Sequence, residues 1–290
     1  MQPVGRLGLA LATFALGVAG LVVATEGTRF PVAAPRVELV PAVDVGCLAA
    51  GDYRAPEPAS VGRPAGLALC PSGPITVTTP GKVIDGWDVR GGIVVDAPGV
   101  VVRRSRITGD GATPYGIRTT PAGAVRIEDT TLTGDFPIAA IGDDHWTGER
   151  VEIAGVTHDG ARLGSAARVR NSWLHDFAPA VGVRPDALVL VGSEGEILVE
   201  DNRIEVSPAG GAAVRVAPVG RSSAAVVIRG NVLGGGRYTV HEDAVAGTMA
   251  EVWLQNNRFR RDAAQGPLRV SRRVVQVENT FVDGGRLPDE

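Results

Sequence analysis

The chain has 290 residues, enough for one or two ordinary domains. Its formal net charge of −3 excludes the strongly basic surface of a dedicated nucleic-acid binder. Thirty-nine Gly and twenty Pro punctuate it into short segments, and nothing beyond the N-terminus shows helical periodicity.

In chain order, Arg6 precedes an apolar run over residues 7–24 that ends in Val22-Val23-Ala24. A small-residue ending of this kind marks a cleavable export signal; eighteen apolar residues are also near the minimum for a membrane anchor. Either way a secreted or cell-envelope location is expected, with membrane contact only through this segment if it is not cleaved. Residues 25–60 read as an extended connector and the start of a cap that runs over 46–80. Cys47 and Cys70 are the only cysteines. An even count in an exported chain suggests a disulfide, closing about 24 residues and contributing roughly 3 kcal/mol; two unpaired thiols are the alternative. The cap is expected to end in the strand Ile75-Thr76-Val77-Thr78, and Lys82 to Val89 to open the first coil.

From there a short pattern recurs, anchored at Ile107, Leu132, Ile153, Leu174, Ile204, Leu233, Phe259 and Phe281, at intervals of 21 to 30 residues. Seven and five places before each anchor stand mostly apolar residues, among them Val100/Val102, Val125/Ile127 and Ile197/Val199. Two places before stand Ser105, Thr130, Val151, Ser172, Asn202, Asn231, Asn257 and Asn279. Alternation of period two makes each unit a strand, and a repeat of this length marks a stacked solenoid. The last four Asn would then form an amide ladder. A second apolar segment lies between anchors, for example Ala161 to Leu163 and Val214 to Val216, so each turn holds two or three strands. Gly148 and Gln276 break the pattern, the first as an expected bulge, the second in the terminal coil. The fold class is all-β: a parallel β-helix of about eight to nine coils over residues 61–286, expected as a monomer.

Val83-Ile84-Asp85-Gly86-Trp87-Asp88-Val89 and the run from Ala97 to Ile107 resemble right-handed parallel β-helix proteins of the pectate-lyase-like superfamily, in particular exported actinobacterial members. His145 to Ile153 and Arg168 to Asp176 continue the likeness. The resemblance implies a groove on one parallel sheet that receives a polysaccharide, with lyases, hydrolases and epimerases all represented. One departure concerns activity: where such relatives show His-x-Asp-Gly, this chain has Arg184-Pro185-Asp186-Ala187.

Acids and histidines gather after the early anchors: Asp110, Asp135, His158-Asp159 and His175-Asp176. Paired carboxylates can run glycoside hydrolysis, a cluster can hold Ca²⁺ through six to eight oxygens, and a base can start uronate elimination. Asp159, His175, Asp176 and Asp186 are the catalytic candidates, with Arg162 and Arg184 placed to bind substrate carboxylates. Asp110 and Asp135 also read as ordinary turn residues after Gly, and His241-Glu242-Asp243 as a solvated bend. No zinc spacing, nucleophile elbow or phosphate loop occurs, and Ca²⁺ is the one cofactor the carboxylates suggest. The expected function is action on, or binding of, an acidic polysaccharide; the alternative is a non-catalytic binding, adhesion or structural envelope module.

Overall fold

The computed structural model describes residues 60–192, 194–243 and 247–288. The apolar leader, the connector and Cys47 lie outside these residues, so the expected Cys47–Cys70 bridge does too; Cys70 itself is exposed at the start of the first strand. Among the described residues the chain forms strands of five residues or fewer and no α-helix. They assemble into three long parallel sheets of ten, nine and nine strands, plus one two-stranded ribbon. The chain is a parallel β-solenoid.

Each coil visits the three sheets in a fixed order. Val100–Arg103 lies in the third sheet, Arg106–Asp110 in the first and Tyr115–Thr119 in the second, and the next coil repeats the sequence. All eight anchors fall in one column of the first sheet, each paired in register with the next from Ile107 to Phe281. The positions five before them form an equally unbroken column in the third sheet, from Val102 to Gln276. These columns point inward and are the core: Ile107, Leu132, Leu174, Ile204, Leu233 and Phe259 have no exposed surface. Burial of a Leu or Ile side chain stabilises by about 1.5–3 kcal/mol, and here every coil supplies several.

The corner between third and first sheets has one recurring device. Three places before every anchor the backbone is left-handed: Arg104, Asp129, Arg150, Asn171, Asp201, Gly230, Asn256 and Glu278 all have φ between 45° and 65°. A single residue of this conformation reverses the inward–outward alternation. The following residue therefore turns inside, which is why Ser105, Thr130, Ser172, Asn202, Asn231 and Asn257, two places before their anchors, are buried. The amide ladder forms as expected. Asn202, Asn231 and Asn257 each donate Nδ2 to Oδ1 of the next Asn at 2.9–3.0 Å, and each receiving Oδ1 also accepts the backbone amide of the Asn before it.

Gly148 is not a bulge. Its strand, Trp146–Glu149, pairs straight with both neighbours. A Cβ there would press at 3.3 Å on the buried Trp146 ring and at 3.4 Å on Val151, so the large indole two places earlier takes the volume. The bulge sits instead in the first sheet between Leu132 and Gly134, where Gly134 adopts φ 93°. Gln276 does lie in the terminal strand of its sheet, exposed as expected. At the other end, Cys70–Ser72 and Ile75–Val77 are the first strands of the first and second sheets. The segment just before them rests on the first sheet: Gly62 N–H donates to Arg150 O at 2.8 Å, and Arg63 N–H to Thr131 Oγ1 at 2.9 Å.

Candidate functional site

The second sheet carries the most distinctive outer face. Its inward column runs Ile93, Ile117, Ile141, Ala161, Leu188, Val214, Val240 and Leu268. One place further along each strand the register aligns Val94, Arg118, Gly142, Arg162, Val189, Arg215, His241 and Arg269, all of which reach the surface except Gly142 and Val189, which are buried. Five of these eight are basic. Coils rise about 4.8 Å each, so the stripe from Arg118 to Arg269 extends about 29 Å.

Its two ends are alike. The Arg118 guanidinium lies 5.8 Å from the Tyr115 ring centroid, and that of Arg269 lies 5.7 Å from Tyr238. Both arginines are exposed, and among the described residues neither is in an ion pair. Tyr115 also covers Gly142, where any side chain would collide with the ring; this explains the gap in the stripe at that coil. The middle is buttressed by acids. Arg162 Nε donates to Asp143 Oδ1 at 2.8 Å, and Tyr115 Oη donates to Asp143 Oδ2 at 3.1 Å. Arg215 donates to Asp243 at 2.7 Å and to Asp186 at 3.4 Å. His241 is held below the ordinary histidine range by burial and by the cations Arg269 and Arg215. It is therefore neutral at pH 7.

Asp159 and Asp186 meet at the edge of this face, on consecutive coils. The Asp186 backbone amide donates to Asp159 Oδ1 at 3.0 Å, and Asp186 Oδ1 accepts the Ala212 amide at 2.6 Å. The two side chains thus tie one coil to the next, much as the Asn ladder does. Asp186 is only 5% exposed. Burial, with the charge of Asp159 beside it, pushes Asp186 up to about 6 against the pull of the Ala212 amide and Arg215. Burial raises Asp159 as well, opposed by the Asp186 amide and by Arg162. Two carboxyls so placed do not ionise together without cost, so the pair gives up its last proton above the ordinary carboxylate range.

The other two catalytic candidates stand elsewhere. His175 ends a strand of the first sheet, not the second, because Leu174 just before it is an anchor, and Asp176 follows directly. His175 Nδ1 is 2.8 Å from Asp176 Oδ2, and Nε2 is 3.5 Å from Glu152 Oε1, long for a hydrogen bond but close enough for an ion pair. Its ring stacks on Trp173 at 3.6 Å. Burial lowers His175, but the carboxylates of Glu152 and Asp176 outweigh it and leave the imidazole above its ordinary range. With both ring nitrogens facing acids and only 8% of its surface open, His175 ties two coils together.

Asp110 and Asp135 pair in register as expected, at the corner between first and second sheets. Asp110 Oδ1 accepts the Ala112 amide at 3.0 Å, the geometry of a turn, and these amides hold it below the usual carboxylate range. Asp135 accepts from Thr157 Oγ1 at 2.5 Å. Arg184 lies off the basic stripe, on the 177–185 loop. Among the described residues no three of His, Cys, Asp and Glu are grouped to hold a metal ion. Ala139, Ala140, Ala212 and Ala213 are buried and line no surface.

Arg215, Arg118, Arg269 and the two tyrosines were not singled out from the sequence. The signal was there: a basic residue directly follows the inward apolar residue in Ile117-Arg118, Ala161-Arg162, Val214-Arg215, Val240-His241 and Leu268-Arg269. Comparison with protein-family models, with curated proteins and with solved structures gave no match.

Proposed function

We propose that this chain is an exported β-helix protein, of the pectate-lyase-like kind, that binds an acidic polysaccharide along the outer face of the second sheet. The observation that carries the reading is the row of basic residues on five of the seven coils from Arg118 to Arg269, ended on both sides by a tyrosine beside an arginine that, among the described residues, is in no ion pair. Guanidinium forks suit the carboxylates of a uronate chain, and tyrosine rings offer faces for sugar rings. A polymer with an anionic group on each residue matches a receptor that repeats along its axis. Export rests on the apolar segment 7–24, and the same reading includes the Cys47–Cys70 bridge of an oxidising compartment.

Binding is favoured over turnover because Asp159 and Asp186 spend oxygens on backbone amides and His175 is walled in. A second reading, acid–base catalysis by Asp159 and Asp186, is favoured by one observation: Asp186 sits at about 6, where a general acid works at neutral pH. Affinity electrophoresis in polygalacturonate, alginate and neutral dextran tests the first reading. Retardation by the uronate polymers alone is expected, weakening with salt and falling about tenfold or more in the double variant Arg118→Ala, Arg269→Ala. Equal retardation by dextran, or none by any polymer, contradicts it. Release of reducing or unsaturated ends from the same polymers, with and without Ca²⁺, and its loss in Asp159→Asn, supports the second.

A further inference from the structure

Leu174 and Ile204 are separated by 30 residues, the longest interval between anchors, and the surplus forms the 177–185 loop. This loop is built rather than loose. Ala178 N–H donates to Val156 O at 2.9 Å, Val183 N–H to Ala180 O at 2.9 Å, and Gly211 N–H to Pro185 O at 3.0 Å. Across from it the chain turns again at 206–210, closed by Gly210 N–H donating to Ser207 O at 2.7 Å. Between the two walls lies a cleft of about 450 Å³, within the range of small-molecule sites. Phe177, Val183, Pro185 and Val206 make its lining largely apolar, and Arg184 and Ser207 add polar groups.

The polar side chain that marks the cleft for an occupant is Arg184, which is exposed and, among the described residues, in no ion pair, whereas most arginines near it on the solenoid are matched to an acid. An unmatched guanidinium beside Phe177, Val183 and Val206 fits a ligand with an apolar body and one anionic group.

We propose that this cleft is a binding site for a small amphipathic carboxylate, its anion on Arg184 and its apolar part against Phe177, Val183 and Val206. A sugar ring, polar all round, does not match this lining. The site is therefore separate from the stripe on the second sheet, and either can exist without the other.

Isothermal titration of the full chain with 4-hydroxycinnamate tests it, with the corresponding alcohol and glucuronate as comparisons. Saturable binding of the acid is expected, about tenfold tighter than the alcohol, as one charge-assisted hydrogen bond provides. Arg184→Ala is expected to bring the acid down to the level of the alcohol. Ala209→Trp, which fills the cleft from an exposed lining position, is expected to abolish both. Thermal melts matching the parent show that these exposed substitutions leave the fold intact. Absence of saturable binding, equal binding of glucuronate, or retention in Ala209→Trp overturns the proposal.

Discussion

Replacing Asp186 by Asn should make the protein more stable at neutral pH, not less. The amide keeps an oxygen for the Ala212 N–H, which Asp186 Oδ1 accepts at 2.6 Å. What it removes is a buried charge beside Asp159. In the folded chain Asp186 has been pushed from 3.8 to about 6, so between these values the folded state holds a proton that the unfolded state has lost. Stability then falls as pH rises across that window. Once Asp186 is ionised the penalty is complete and comes to about 3 kcal/mol. The Asn variant escapes it. Urea unfolding of the two chains should therefore give similar midpoints near pH 3.5 and a widening advantage for Asp186→Asn up to pH 7.5, at unchanged slope. A variant less stable than the parent at pH 7.5, or a difference that does not vary with pH, would refute the view that burial dominates this carboxyl.

Asn231→Ala should cost about 3 kcal/mol or more in unfolding free energy, because it takes the acceptor from both the backbone amide and Nδ2 of Asn202 and the Nδ2 donor from the Val199 carbonyl inside the solenoid. His175 should act in the opposite sense to Asp186. Its folded value is raised, so the stability it lends is present below its ordinary 6.5 and is lost as pH rises through the folded value. Chemical denaturation of the parent at pH 6 and pH 8.5 should show that loss, and His175→Gln should flatten it; an unchanged profile would rule out the ion pairs. Mass spectrometry of the exported protein with and without reductant should show two protons gained per chain on reducing Cys47–Cys70; two free thiols from the outset would contradict the bridge.

The solenoid was readable because its information is local. The anchors, the inward alternation before them and the Asn column sit at constant offsets, since the third-to-first corner always spends a single left-handed residue. The second sheet was harder to place from the anchors. Asp159 lies six places after Ile153 and Asp186 twelve after Leu174, yet they are neighbours, because the loop over 177–185 absorbs the difference. Closeness to an anchor also grouped residues that lie apart. His175 closes a strand of the first sheet with Asp176 just beyond it, while Asp159 opens one of the second. The basic stripe follows the second sheet's own apolar residues, so counting from the anchors missed it. Gly148 was misread because its cause is the bulk of Trp146, a matter of shared volume that period-two patterning does not encode.

The most direct test of the glycan-binding face is hydrogen–deuterium exchange of the full chain with and without polygalacturonate. Slower exchange is expected over the second-sheet strands Tyr115–Thr119, Asp159–Leu163, Val214–Val216, Tyr238–Glu242 and Gly266–Arg269, with the third sheet unchanged. Protection centred on the first or third sheet, with these five strands unaffected, would contradict the assignment of the ligand to the arginine stripe.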